Sequence, residues 1–420
     1  MSAGLYRRLA RAAIAAAPAC GVVAPLEAQH PTFAAGTSAT LVYDRVDPVP
    51  GGGSADELRV IHPVAMLHGT AAGGRLGFSG MLNLEGLTLA DGQLAPGVAG
   101  EGFADRRHPH TWLHEAVVTL QHDIPAGRSG GSVSLSAGKG FAPFGTDDPM
   151  SRPVVRYPVN HHHAQILERF VAIAAARVGP AVLEGALFNG DEPDGPDQWP
   201  NIGRFGDSWS ARLTLVPLAG LELQGSVAHI ASPEHRDGGG LDHAKWSLSA
   251  RFGRAAGEHR LYGLAELARN DEGDGAFIFH SALAEAAWNY RRHAVHYRIE
   301  RTERAEEQRL PDLWRTPRPH HDFSNLGATR WTIHTIGYAF DAPAPRSLAL
   351  APIVEVSVGR VRSLTPGSFD PVLFYGRETF WSLTAGVRIG WGTRLHRMGR
   401  YGAADLTPGP MRDAGVEHIH

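Results

Sequence analysis

The sequence predicts an all-β fold: a transmembrane, antiparallel, up-and-down β-barrel of about sixteen strands. Three observations predict it. Apolar and polar residues alternate at period two in segment after segment, which gives each strand one apolar and one polar side. The connections between these segments alternate between tight and long, as they do when short turns sit at one rim of a barrel and long loops at the other. Trp381 and Trp391 bracket the apolar side of one strand. At about 3.3 Å per residue and a tilt near 45°, about ten residues cover roughly 23 Å, the height of the apolar band of such a barrel.

The chain begins with an export signal over residues 1–28. Arg7, Arg8 and Arg11 form a positive n-region, Ala12 to Val23 an apolar stretch, and Leu26-Glu27-Ala28 a small residue before a cut at Gln29. The single cysteine, Cys20, falls inside this signal, so the mature chain has no disulfide to form. Ala17-Pro18-Ala19-Cys20 lacks the Leu of a lipoprotein site. No other stretch holds the roughly 18 apolar residues of a helical span. A net charge of −3 argues against nucleic acid as a partner.

Strands are predicted near 37–46, 63–71, 75–85, 112–123, 131–139, 169–178, 181–189, 207–216, 221–230, 244–252, 259–268, 276–289, 293–303, 328–340, 347–361 and 377–391. The clearest alternations are Trp381-Leu383-Ala385-Val387-Ile389-Trp391, Trp209-Ala211-Leu213-Leu215, Trp246-Leu248-Ala250-Phe252 and Val295-Tyr297-Ile299. Tight links fall at Ala72-Gly73-Gly74, Gly179-Pro180, Pro217 to Gly220 and Arg291-Arg292. Long polar connections fall at 86–111, 140–168, 190–206, 232–243, 304–327 and 362–376. Fourteen or eighteen strands also fit; an even number is the rule for a single-chain bacterial barrel. A soluble sandwich would show the same alternation. Aromatic residues at both ends of a strand, apolar faces rich in Ala and Gly, and the alternating connections favour the membrane.

Thr384-x-Gly386-x-x-Ile389-x-Trp391 resembles the C-terminal signal by which the barrel-assembly machinery recognises outer-membrane proteins, followed here by a tail. The whole mature chain resembles porin-like barrels. Asp105-Arg106-Arg107-His108-Pro109-His110 and Phe188 to Asp194 are similar to segments of uncharacterised outer-membrane proteins. The resemblance implies a barrel over 29–391 in the bacterial outer membrane and a periplasmic tail over 392–420. It also implies dealings with lipids, periplasmic chaperones and the assembly machinery. The oligomeric state is left open.

The polar sides supply the lumen-lining candidates Glu184, Arg212, Glu222, Arg251, Glu266, Glu285, Arg298, Glu300, Arg330, Glu355 and Arg388, charges of both signs that suit selectivity or structural pairing. The connection from Gly140 to Glu168 is stiff and partly apolar (Phe141, Pro143, Phe144, Pro149, Pro153, Pro158). Folded inward, it would bring Asp147, Asp148, Arg152 and Arg156 to face one another across a constriction. Loop histidines, chiefly His108, His110, His161 and His163, are candidate ligands for copper or zinc; in an extended chain His161 and His163 share a side. Met66 and His68 offer a second copper-like pair. Loop 190–206, with Asp191, Glu192, Asp194 and Asp197, is a candidate calcium site.

No G-x-S-x-G elbow or H-E-x-x-H helix is present, and His114-Glu115 lacks a second His four residues on. The sequence therefore reads as a non-enzymatic, porin-like channel for passive diffusion of small solutes or ions. A copper- or zinc-binding transporter and an outer-membrane hydrolase stand as the alternatives.

Overall fold

The structure is a computed structural model. It describes residues 32–49, 51–88, 110–124, 130–146, 148–193, 195–307, 325–345, 347–392 and 397–405. The expected signal (1–28), His108 with the rest of segment 105–109, Asp147 and Asp194 lie outside these residues.

Sixteen strands close a barrel. They are β1 (Thr32–Asp47), β2 (Ala55–Ala71), β3 (Leu76–Asn83), β4 (Leu113–Ile124), β5 (Gly131–Gly140), β6 (Arg169–Val178), β7 (Ala181–Phe188), β8 (Ser208–Leu218), β9 (Leu221–Ile230), β10 (His243–Ala256), β11 (His259–Glu272), β12 (Phe277–Tyr290), β13 (His293–Glu307), β14 (Asn325–Phe340), β15 (Leu348–Ser363) and β16 (Thr379–Gly392). Each pairs antiparallel with its sequence neighbours, and β1 pairs with β16 from Gly36↔Gly392 to Asp47↔Trp381. Closure leaves no open strand edge, the condition for β-structure in hydrocarbon.

The Thr384-to-Trp391 motif lies on this seam. Thr384 Oγ1 donates to Asp44 Oδ1 at 2.5 Å on the inner side. Gly386 sits against β1 so closely that a Cβ there would meet the Leu41 carbonyl. Ile389 and Trp391 face outward.

Side-chain direction follows the period of two. Trp209, Leu213, Leu248, Val295, Tyr297, Ile299 and Trp381 are exposed on the outer face. Ser132, Ser134 and Ser136 of β5, and most of the charged candidates, are buried on the inner one. A soluble fold would have this reversed.

β2 starts at Ala55, well before the expected 63. A bulge at His62, held at φ 51, shifts the register between Ser38 and Thr40 of β1 and breaks the alternation. Described residues 397–405, expected in a periplasmic tail, lie instead inside the barrel, where Arg400, Tyr401, Ala403 and Ala404 are buried. β16 runs toward the short-turn rim, so this segment enters from that end.

Candidate functional site in the barrel lumen

Among the described residues, two segments reach into the lumen. The first is the 141–168 loop. Gly140 and Arg169 are partners in the β5–β6 ladder, so the loop leaves and returns at one point on the wall. In between, its backbone and side chains reach the far side. Gly145 N donates to Ser226 Oγ of β9 (3.0 Å) and Thr146 Oγ1 to Glu266 Oε2 of β11 (2.6 Å). Val159 N donates to Glu300 Oε2 of β13 (2.7 Å), and Val155 N to Glu355 Oε1 of β15 (2.7 Å). Tyr157 stacks on His62 of β2 at 4.8 Å. Phe141, Phe144, Val154 and Val155 are buried. A loop can go inside only where its polar backbone finds partners, and Ser226, Glu300 and Glu355 of the wall are among those partners.

The loop's arginines meet the same carboxylates. Arg152 lies 3.5 Å from Glu266 and 3.7 Å from Glu285. Arg156 is buried, and burial pulls its guanidinium down to about 10 against the attraction of Glu300, so it stays charged at neutral pH. Arg298 of β13 donates to Glu285 Oε1 and to the Arg156 carbonyl, both at 2.6 Å. His296 completes the set with Glu355 at 2.8 Å.

Among the described residues, Arg152 and Arg156 face carboxylates of the wall, and Asp147 lies outside the described residues. Asp148 is spent locally, capping the turn Pro149–Ser151 through Met150 N (2.7 Å) and accepting from Gln165 (3.3 Å). Arg330 also departs from its expected place. It is half-exposed on the outer face with Glu303 (2.6 Å), while Trp331 and Ile333 point inward and are buried. Near the rim the inner face turns apolar, packing Trp331 against Tyr375 and Phe380, so polarity misleads about direction there. Arg388 shares the inward parity of Thr384 and is half-buried.

These pairs are deep enough to carry stability. Arg298→Met leaves Glu285 with less compensation in a buried setting. It should destabilise the barrel by about 3–5 kcal/mol, read by urea unfolding in lipid vesicles with Trp fluorescence. A loss below about 1 kcal/mol would mean that water reaches Glu285 and solvates it.

The second segment is 397–405, whose role is invisible in the strand pattern. Arg397 grips Glu222 through two bonds (2.6 and 2.9 Å). Arg400 donates to Thr214 (3.0 Å) and Glu222 (3.2 Å) and lies 3.5 Å from Glu184. Burial, then repulsion from Arg212 and Arg397, pulls Arg400 down to about 9. Arg212 holds Glu184 with two 2.6 Å bonds and donates to the Gly399 carbonyl at 2.8 Å. Arg251 lies 3.8 Å from Glu222. Tyr401, its hydroxyl pushed well above the ordinary range by burial and then by Glu115, donates to Glu115 (2.9 Å) and accepts from Phe141 N (3.2 Å). That last bond ties the segment to the loop. The one signal in sequence was the density of basic residues from Arg394 to Arg400.

The expected metal ligands scatter, with one exception. His161 and His163 are buried in a helical turn (His161–Ala164), where residues two apart do not share a face; His161 Nδ1 lies 3.2 Å from the Pro158 carbonyl. In loop 190–206, Asp191 accepts from Asn189 (2.8 Å) and Asn201 N (2.7 Å), Glu192 pairs with Arg169 (3.2 Å) and Asp197 accepts from Trp112 (2.9 Å). These carboxylates hold separate partners. Met66 packs with Met81 and Met398 in an apolar cluster, while His68 lies 3.3 Å from Ser79 Oγ.

The exception is His110. It meets His114 at the start of β4 and Glu168 at the root of the loop, all three buried. His110 Nδ1 is 3.4 Å from Glu168 Oε2, and His114 Nδ1 is 2.8 Å from Oε1. Thr111 donates to Oε1 through its amide (3.0 Å) and hydroxyl (2.5 Å). Burial alone would push the Glu168 carboxyl up; His114 and His110 overcome it and hold it well below the usual range. The spacing of His110 and His114 is visible in sequence. Glu168 is 54 positions further on, beyond any local pattern.

No protein-family model and no curated protein matches this chain. Solved structures of similar overall course include an anion-selective porin from Comamonas acidovorans (12% identity, TM-score 0.49, 86% of this chain and 100% of that one). Another is OmpT, an outer membrane protein of Vibrio cholerae (7%, 0.47, 87% and 100%). A third is OccK10 of Pseudomonas aeruginosa (10%, 0.40, 86% and 99%). At such values the likeness carries no argument about function.

Proposed function

We propose that the protein is an outer-membrane channel of the porin kind, passing small ions and solutes by diffusion, with its bore set by the 141–168 loop and the 397–405 segment. One observation carries this reading: inside a closed barrel with an apolar outer face, a loop crosses the lumen and lays Arg152 and Arg156 among Glu266, Glu285, Glu300 and Glu355. Sixteen strands enclose more space than wall side chains fill, so inserted segments decide the bore. Fixed charges of both signs in a narrow, weakly screened passage act strongly on a passing ion. The outward Trp209, Trp288, Trp381 and Trp391 suit the interfacial girdles of an outer-membrane barrel.

The reading is tested by refolding the mature chain into planar bilayers. Small discrete conductance steps, with a reversal potential in a salt gradient that reports ion preference, are the expected result. A correctly folded barrel that conducts at no applied voltage would overturn the channel reading.

A further inference from the structure

We infer that His110, His114 and Glu168 form a binding site for one divalent transition-metal ion of the zinc class, at the root of the 141–168 loop. One donor atom from each residue lies within 4.8 Å of the other two, and all three side chains are buried. Two imidazoles and a carboxylate are a donor set that zinc takes, with a fourth position left for water. Calcium and magnesium, which want oxygen shells, do not suit it.

The distances fit the chemistry. Bonds of about 2.0–2.2 Å in a tetrahedron put neighbouring donor atoms roughly 3.3 Å apart. The His110 Nδ1 to Glu168 Oε2 separation, 3.4 Å, already has that length. The supporting groups are in place as well. Both Thr111 bonds go to Oε1, orienting the carboxylate and leaving Oε2 toward His110. Lys139 Nζ is on the Oε1 side too, 3.5 Å away, and is held there by Thr111 Oγ1 and the Leu113 carbonyl. On the far side of the His110 ring, Nε2 lies 4.0 Å from Glu85 Oε2, which places a second carboxylate near the ring.

His114 is fully buried and offers the ion Nδ1, the ring nitrogen that faces Glu168. The site joins the start of β4 to the residue that precedes β6, so the ion would anchor the base of the loop to the wall.

Isothermal titration of the full mature barrel, refolded in detergent and stripped with EDTA, tests this with ZnCl2 as the probe. One zinc ion per barrel is expected, with affinity lowered at least ten-fold in His110→Ala, His114→Ala and Glu168→Gln. His161→Ala and His163→Ala should bind as the wild type does. No uptake by the wild type, or uptake unchanged in the three site variants, overturns the site. Folding of each variant is checked by heat-modifiable gel mobility. His110→Ala lies outside the strands and tests the site if the other two do not fold. Cobalt(II) added to the wild type should give the visible bands of a tetrahedral nitrogen-oxygen site; their absence also overturns it. None of these readings depends on conductance, so the channel reading stands or falls separately.

Discussion

Replacing Phe144 to Pro158 with a short Gly/Ser linker should raise single-channel conductance several-fold and move ion preference toward cations. The deletion removes the apolar body that packs across the lumen, including Phe144, Val154, Val155 and Tyr157. It also removes Arg152 and Arg156 while leaving Glu266, Glu285, Glu300 and Glu355 on the wall. Asp147 and Asp148 leave with the two arginines, so the net charge removed is zero, but the wall left facing the passage carries Glu266, Glu285, Glu300 and Glu355 against Arg298, which favours cations. Conductance steps and the reversal potential in a salt gradient measure both effects. If neither moves in a folded barrel, solute does not pass beside the loop, and the bore is set elsewhere.

Truncation after Gly392 should also raise conductance, from the short-turn side. The cut keeps Thr384, Gly386, Ile389 and Trp391, so the seam with β1 and the assembly motif survive. It removes Arg397, Arg400 and Tyr401 from the wall formed by β4, β5, β7, β8 and β9. The wall does not collapse in charge, because Arg212 still holds Glu184 and Arg251 still lies near Glu222. The uncovered Glu222 and Glu115 add negative charge, so preference should again shift toward cations, by less than in the loop deletion, which uncovers more carboxylates. A truncated barrel that assembles with wild-type conductance would show that the segment leaves the lumen in a working channel. The two variants together separate the contributions of the two inserted segments.

The barrel itself is legible in the sequence because its physics is local. A strand with one face toward lipid and one toward a polar interior must alternate, and the alternation at Trp209–Leu215, Val295–Ile299 and Trp381–Trp391 appears in the structure as exposed outer and buried inner residues. Turn spacing is local too, which is why sixteen strands could be counted before their pairing was seen. Where a bulge at His62 breaks the period, or an apolar inner face at Trp331 and Ile333 inverts its meaning, the pattern misplaces a strand start and one arginine.

The lumen was decided by tertiary structure. The inward fold of 141–168 was legible in its stiffness, but its partners were not: Val155 meets Glu355, 200 positions away, and Tyr401 meets Glu115, 286 away. Nothing in the local pattern near Arg397 and Arg400 says that they replace water as the partners of buried Glu222. Nor does a loop histidine announce which distant carboxylate it will face, and His161 and His163 fail as a pair because one helical turn separates their directions. Alternation tells which side of the wall a residue faces. What fills the enclosed space depends on which buried charges find partners once the sheet closes, and closure brings together residues that the chain keeps far apart.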